Sequence, residues 1–190
     1  PEFGRKIHVE ASRMIQLVND ILQLSNLDNV SETGASPTME TVDLLDVARE
    51  CVERQKVNAR HSYISLTYLG ESAPVTGSRV LLDELCQNLC DNAIRYNRPG
   101  GKVQIITACT RDGHCTLTVK DNGIGIPKEA QTSVFERFYR VDKSRSKATG
   151  GTGLGLAIVK HIARIHNARI KLDSVVDEGT TITVIFETAS

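Results

Sequence analysis

The most informative stretch of this sequence is ELCQNLCDNAIRY at residues 84–96. Its apolar residues favour a helix, while Glu84, Asn88 and Asn92 recur every four residues and project from one face at intervals of roughly 6 Å. A polar ridge on an otherwise apolar helix is costly to bury unless a ligand or a metal ion satisfies it. On its own, the ridge is equally consistent with a solvated helix face.

The chemistry of this stretch suits a metal ion beside an anion. The amide oxygen of Asn92 is a suitable hard ligand for Mg²⁺, which prefers one or two protein oxygens together with phosphates and waters. Arg95 and Tyr96 lie one turn further on, where a guanidinium and a hydroxyl can reach phosphate oxygens.

A second pattern, DNGIGIP at residues 121–127, follows a predicted strand. Gly123 and Gly125 permit a tight backbone bend and the close approach of a flat ligand. The Asp121 carboxylate can accept a hydrogen bond from an exocyclic amine such as adenine N6. Taken alone, the pattern is equally typical of a turn that ends a strand.

A third pattern, GGTGLGL at residues 150–156, leads into a predicted helix at 154–166. Glycines before a helix N-terminus present free N–H groups and the positive end of the helix dipole to an anion. The spacing matches neither a P-loop nor the dinucleotide fingerprint, in which Leu156 would be a glycine. The alternative is a glycine hinge. Between the two glycine patterns lies FERFYR at 135–140, an aromatic and basic cluster that is otherwise explained as a small satellite core.

The remaining periodicities predict an α+β two-layer sandwich in which hairpins outnumber βαβ crossovers. Asp43 is the expected N-cap of the first helix of this domain, and Pro99 ends the second. The predicted helices are 43–60, 78–97 and 154–166, and the predicted strands are 63–69, 103–110, 115–120, 169–175 and 180–187.

Residues 5–30 form a separate predicted helix with near-heptad apolar spacing at Ile7, Met14, Leu17 and Ile21. One helix cannot bury such a stripe, so we expect it to pack against partner helices. Residues 31–38 then form a predicted linker. Residues 1–4, which begin with Pro, Glu and Phe, look like a cloning remnant, and we expect this chain to be a truncated piece.

Composition narrows the possible classes of protein. Lys and Arg number 23, as do Asp and Glu, and zero net charge argues against a general nucleic-acid binder. The sequence contains no run of 18 apolar residues and no secretory signal. The five cysteines fit no paired framework, so we expect buried free thiols and a reducing, cytoplasmic environment.

In their order and spacing, these patterns resemble the catalytic, ATP-binding domain of bacterial sensor histidine kinases, within the gyrase, Hsp90, histidine kinase and MutL superfamily. Residues 88–96 look like its N box, 121–125 its G1 box, 135–140 its F box and 151–156 its G2 box, while Glu178 begins a short third glycine box. The resemblance implies a Bergerat sandwich over residues 39–190, with a mobile lid at about 141–151. It also implies that residues 5–30 are the second helix of a dimerisation and phosphotransfer domain.

The resemblance also implies roles for individual residues, with ATP and Mg²⁺ as cofactors. Asn92 is the implied Mg²⁺ ligand and Asn88 its polar neighbour. Phosphate contacts are implied for Arg95, Tyr96 and Arg140, and for the backbone amides of Gly153, Leu154 and Gly155. Nucleotide binding in general is implied for Tyr139, Gly151, Thr152 and Leu156. The adenine pocket is implied to contain Asp121, Gly123, Gly125, Ile126 and Thr180.

The implied activity is transfer of the γ-phosphate of ATP to a histidine, for relay to a response regulator, by a membrane-anchored homodimer. ATP-hydrolysing relatives carry Glu where this chain has Asn88, and an amide cannot act as a general base, so transfer is favoured over hydrolysis. A superfamily ATPase and a degenerate kinase that serves as a nucleotide-binding scaffold remain alternatives. None of the five histidines (His8, His61, His114, His161 and His166) precedes an acidic residue, so each is interpreted as a surface histidine and the acceptor is expected on another helix.

Overall fold

The computed structural model describes residues 7, 10–12, 14–22, 24–25, 37–141 and 151–187. Those between 7 and 25 are helical, as predicted, and are called α1. The predicted cloning remnant, the linker up to residue 36, His8 and lid residues 142–150 lie outside the described residues.

A five-stranded mixed sheet forms one layer of the molecule. Its strand order is β2-β4-β5-β7-β6, with β2 parallel to β4 and every other pair antiparallel. Strands β1 and β3 pair separately as a two-stranded antiparallel ribbon. The strands are β1 (Glu40–Asp43), β2 (Ser65–Gly70), β3 (Pro74–Gly77), β4 (Lys102–Cys109), β5 (His114–Asp121), β6 (Arg169–Val175) and β7 (Gly179–Glu187).

Three helices form the second layer: α2 (Leu44–His61), α3 (Arg79–Arg95) and α4 (Gly155–Ile165). Their buried faces meet every second residue of the central strands, such as Leu117 and Val119 on β5 and Val184 and Phe186 on β7. This arrangement confirms the predicted α+β sandwich. A short 3₁₀ turn at Lys128–Ala130 lies between β5 and α4. None of the described helices is long and apolar enough to cross a membrane.

The ribbon of β1 and β3 was not predicted, because each strand has only four residues and β3 begins with a proline. The predicted N-cap beside it is confirmed. The Asp43 carboxylate accepts hydrogen bonds from the Leu45 amide at 2.9 Å, the Ala73 amide at 2.9 Å and the Ser72 hydroxyl at 2.6 Å. One side chain therefore caps α2 and fixes the approach to β3.

The N-terminus of α3 is held by a residue far along the chain. The Ser78 amide donates to Nε2 of His166 at 3.0 Å, and the other ring nitrogen, Nδ1, lies 2.8 Å from the Ile162 carbonyl oxygen. His166 was expected on the outer surface of its helix, which is wrong, since its ring is half-buried between α3 and α4. Burial lowers the pKa of His166, so a neutral ring fits these contacts.

The cysteines also differ from expectation. Cys109 and Cys115 face each other in the β4–β5 hairpin and form a disulfide. The expectation of five unpaired cysteines is therefore wrong for these two, because hairpin register brings their Cα atoms to 4.1 Å. Cys51, Cys86 and Cys90 are buried free thiols, as predicted. Within the described part of the chain, no group of histidine, cysteine or acidic side chains is arranged to hold a metal ion.

Candidate functional site

A cavity of about 830 Å³ lies between α3, the first turn of α4 and the sheet. It contains every predicted site residue except Gly123 and Leu154. The predicted residues that line it are Asn88, Asn92, Arg95, Tyr96, Asp121, Gly125, Ile126, Tyr139, Arg140, Gly151, Thr152, Gly153, Gly155, Leu156 and Thr180. Four separate sequence patterns therefore meet at one site.

Gly123 and Leu154 support the cavity from behind its wall. The Gly123 amide donates to Oδ1 of Asp121 at 2.8 Å, which closes the turn after β5. Leu154 is fully buried in the core, and its amide lies 3.3 Å from the Thr152 hydroxyl. The Leu154 side chain anchors the start of α4, and the prediction that its backbone amide supports a nucleotide stays a prediction.

The Asp121 carboxylate stands at one end of the cavity. Its Oδ1 accepts from the amides of Gly123 at 2.8 Å and Thr180 at 3.2 Å, which fixes the orientation of the group. Among the described residues, no group donates to Oδ2. Burial raises the pKa of Asp121, although the two amide hydrogen bonds act in the opposite direction. Oδ2 of Asp121 is therefore a hydrogen-bond acceptor with a fixed orientation in a poorly solvated position.

The walls around Asp121 are apolar and closely fitted. Val119 on β5 and Ile182 on β7 line the cavity beside it. These two residues were not predicted for the site, although the period-two alternation of their strands marks them as facing the helices. Gly125 has φ of +68°, and a Cβ atom there would lie 2.0 Å from the Val175 carbonyl oxygen.

A polar bridge holds the loop after β5 against β6. The Ile126 amide donates to the Ser174 hydroxyl at 2.8 Å, and Nε2 of Gln131 donates to the carbonyl oxygens of both Ile126 and Ser174 at 2.9 Å. Ser174 also contacts the Thr180 hydroxyl at 2.9 Å. The sequence contained no local signal for this bridge, since its partners are more than 40 residues apart.

The polar ridge of α3 is divided between two environments. The amides of Asn88 and Asn92 line the cavity next to Gly155, where a Cβ atom would lie 3.1 Å from Oδ1 of Asn88 and 3.4 Å from Nδ2 of Asn92. Nδ2 of Asn88 donates to the Glu84 carbonyl oxygen at 3.0 Å. The Asn92 side chain makes no hydrogen bond with any described residue. Its amide oxygen is therefore available to a ligand.

Glu84 does not line the cavity. Its Oε1 atom is buried and has no hydrogen-bond partner among the described residues. Burial, followed by the negative charge of Asp20, raises the pKa of this carboxyl group. The three-residue ridge seen in the sequence thus contributes two side chains, not three, to the cavity.

Cationic and backbone groups meet where the glycine loop and the start of α4 border the cavity. A Cβ atom on Gly151 would lie 3.1 Å from the Tyr96 hydroxyl and 3.2 Å from Nη1 of Arg95, so both side-chain ends lie close against this glycine. Tyr139 and Arg140 line the same cavity. This part of the cavity combines positive charge with the N-terminus of α4, an arrangement that favours an anion.

The aromatic cluster forms no satellite core. Phe138 is 60 % exposed and has φ of +63°, and its amide donates to the Gly153 carbonyl oxygen at 2.9 Å. This bond connects residues 135–140 to the glycine loop, which follows residues 142–150 in the sequence.

Helix α1 contributes two residues that the sequence did not indicate. Gln16 and Asp20 line the cavity, and the Asp20 carboxylate accepts a hydrogen bond of 2.6 Å from the Thr152 hydroxyl. No local pattern predicts a contact across 132 residues. Arg98 and Asp177, which pair at the rim on the Asp121 side, were missed for the same reason.

Comparison with known proteins identifies the class. Residues 77–190 match the family of histidine kinase-, DNA gyrase B- and HSP90-like ATPases, and the chain belongs to this family. It represents the catalytic, ATP-binding part of a bacterial sensor histidine kinase.

The individual relatives agree with this assignment. The chain is 44 % identical over 187 residues to the sensor-like histidine kinase SenX3 of Mycolicibacterium smegmatis, covering 96 % of this chain and 47 % of the relative. It is 38 % identical to the sensor protein kinase WalK of Staphylococcus saprophyticus, with 96 % of this chain and 30 % of that protein covered. The chain thus spans less than half the length of these curated relatives.

Solved structures support the fold. The mycobacterial sensor histidine kinase MprB superposes with a TM-score of 0.68 at 32 % identity, covering 79 % of this chain and 97 % of that one. Full-length ShkA, solved in complex with AMPPNP, gives a TM-score of 0.78 at 23 % identity over 95 % of this chain and 38 % of its own, which supports the fold alone.

Proposed function

We propose that the cavity binds ATP as its magnesium complex, with adenine beside Asp121 and the phosphates between Asn92 and the glycine loop at residues 151–155. The observation that carries this proposal is the polarity of the cavity. A fixed carboxylate and apolar side chains line it together with arginines, side-chain amides and, at the glycine loop, the N-terminus of a helix. Its volume of about 830 Å³ is within the range of small-molecule sites.

The adenine end is suited to an amine donor. Oδ2 of Asp121 accepts an N6 hydrogen, and Val119 and Ile182 offer apolar surface to the flat ring. Because the two backbone amides hold Oδ1, the carboxylate needs no reorganisation to receive the base.

The donor set also fits a magnesium ion carried by the nucleotide. Asn92 offers one neutral amide oxygen, and Mg²⁺ usually takes one or two protein oxygens and fills its remaining positions with phosphates and waters. When bound, the ion neutralises phosphate charge. Arg95 and Arg140 orient the polyphosphate, and the start of α4 supplies backbone donors.

In the longer protein, we propose that the γ-phosphate passes to a histidine outside this chain and then to a response regulator. Asn88 lacks a carboxylate to activate water, which favours transfer to a protein group over hydrolysis. The chemistry requires positioning and charge neutralisation above all, and this cavity provides both. A homodimer anchored in the membrane is part of the same proposal.

The test is calorimetric titration of ATP with Mg²⁺ into the 190-residue chain and its Asp121→Asn variant. We expect saturable binding that weakens about 10- to 100-fold in the variant, since a charged hydrogen bond is lost. Asp173→Asn, which removes a carboxylate from the exposed part of β6, should bind as the unsubstituted chain does. A folded protein that binds no nucleotide with Mg²⁺ present contradicts the proposal and favours a degenerate scaffold.

Labelled ATP tests the proposed transfer of the γ-phosphate to a histidine outside this chain. We expect no stable phosphohistidine on this chain alone, and labelling once a fragment with the acceptor helix is added. A stable phosphohistidine on the isolated chain would show that the acceptor lies within it.

A further inference from the structure

The Asp20 carboxylate is buried inside the cavity that the proposed function assigns to ATP. Asp20 is 5 % exposed, its Oδ2 accepts from the Thr152 hydroxyl at 2.6 Å, and its Oδ1 accepts from Nε2 of Gln16 at 2.7 Å. It forms no ion pair with any described residue. Both carboxylate oxygens are therefore held by neutral donors.

The negative charge of Asp20 lies at the phosphate end. Thr152 follows Gly151, which lies against Arg95 and Tyr96, and precedes the first turn of α4. Asp20 also acts on a residue of α3. The pKa of Glu84 is raised mainly by burial and, in addition, by the negative charge of Asp20. The surroundings that attract polyphosphate therefore already contain carboxylates of the chain itself, those of Asp20 and Asp91.

Helix α1 has few other attachments among the described residues. Leu24 is 4 % exposed and Leu17 is partly buried against the core, whereas Met14, Ile15 and Val18 are between 54 % and 66 % exposed. Among the described residues, a small apolar contact and the hydrogen bond from Thr152 to Asp20 connect α1 to the rest of the domain.

We propose that α1 competes with the polyphosphate of the nucleotide, and that Asp20 is the residue through which it does so. This inference rests on the proposed function. The docked helix holds the hydroxyl of the glycine loop and places a negative charge beside the phosphates, so ATP binds well only when α1 withdraws. The position of α1 thereby controls nucleotide affinity, and nucleotide with several phosphates in turn releases α1.

The test compares ligands with different numbers of phosphates. Calorimetry of adenosine, AMP, ADP and ATP, each with Mg²⁺ and with EDTA, is performed on the 190-residue chain and on Asp20→Asn. The variant keeps an acceptor for Thr152 and removes the charge, and the Gln16 amide can turn its oxygen toward the new NH2 group. We expect ATP affinity to rise about tenfold, AMP affinity two- to threefold and adenosine affinity not at all, since repulsion scales with ligand charge.

The matched control is Glu10→Gln, which removes an equal charge from an exposed position on the same helix, about 15 Å away along its axis. It should leave all four affinities unchanged. An equal change for adenosine and ATP, or weaker Mg-ATP binding by Asp20→Asn, would overturn the inference. The second result would mean that Asp20 helps to hold the metal ion.

Hydrogen exchange on the unsubstituted chain gives an independent measurement if Asp20→Asn does not fold. We expect ATP, but not adenosine, to accelerate amide exchange in residues 14–25. Unchanged exchange in the presence of bound ATP contradicts competition. Failure of both adenosine and ATP to bind would instead contradict the proposed function.

Discussion

Two glycines show how single residues control the shape of the site. Gly125 and Gly100 both have positive φ, of +68° and +83°. A Cβ atom on Gly125 would collide with the Val175 carbonyl oxygen at 2.0 Å, whereas one on Gly100 would meet nothing within 4 Å. Alanine substitutions at the two positions therefore distinguish the free-energy cost of a left-handed backbone from that of a steric clash.

We predict that Gly100→Ala costs about 1 kcal/mol of folding free energy, from backbone conformation alone. Gly125→Ala should cost more than about 3 kcal/mol, because the loop after β5 must also move away from β6. Urea unfolding measures both values. Equal costs would show that the loop yields easily and that the contact with Val175 does not restrain it.

Asn92 and Asn88 lie one turn apart yet should differ in their response to magnesium. For Asn92→Ala we expect Mg-ATP affinity to fall about tenfold while the affinity for ATP in EDTA stays constant, because only the ligand oxygen is lost. Asn88→Ala should retain the magnesium dependence, since the Asn88 side chain is bonded to the Glu84 carbonyl oxygen. Calorimetry with and without Mg²⁺ measures the affinity of both variants. The opposite pattern would indicate that Asn88, and not Asn92, binds the metal ion.

At the scale of elements, helix ends are joined by side chains that come from elsewhere in the fold. Asp43 caps α2 and also holds the residues before β3, while His166 at the end of α4 accepts from the amide that begins α3. The two helices that form the nucleotide cavity are thus connected by one imidazole ring.

We predict that Asp43→Ala destabilises the protein by about 2 kcal/mol, since three donors lose their acceptor. The control is Asp46→Ala in the first turn of the same helix, where an exposed carboxylate pairs with Arg49 and the cost should be about 0.5 kcal/mol. Thermal or urea unfolding compares the two. Similar losses would mean that Asp43 acts through helix charge and not through its three hydrogen bonds.

His166 should make stability depend on pH. Its pKa in the folded protein is lowered by burial, so the unfolded chain takes up the proton first as pH falls. Stability is therefore complete above the ordinary histidine pKa of 6.5 and decreases as the pH drops below it, until the folded-state pKa is reached. We expect His166→Gln to lose less stability than the unsubstituted protein between pH 7.5 and pH 5.5, as measured by urea unfolding; parallel pH profiles would exclude this role.

At the scale of the whole molecule, phosphate release distinguishes a kinase from an ATPase. We predict that Asn88→Ala does not lower phosphate release from Mg-ATP, because no general base is removed, and that Asn88→Glu raises it. A coupled phosphate assay measures both variants. Steady release by the unsubstituted chain that disappears in Asn88→Ala would favour the ATPase.

The features of the site that depend on local spacing could be predicted from the sequence. The four-residue repeat of Asn88 and Asn92, the turn at Asp121 and the glycines before α4 depend on neighbours in the chain, and helix and strand periods orient such residues reliably. Contacts between distant segments carry no such period. The bond from Thr152 to Asp20, the capping of Ser78 by His166 and the short ribbon of β1 and β3 arise only when the layers pack.

The parallel pairing of β2 with β4 has a consequence for how the protein folds. Ser65 aligns with Lys102, and the chain between them includes all of α3. Closing this edge of the sheet therefore requires a long loop to be ordered first, and non-local closures of this kind slow folding. Since α3 carries both amides of the cavity, we expect this edge of the sheet and the cavity to form together as the chain folds.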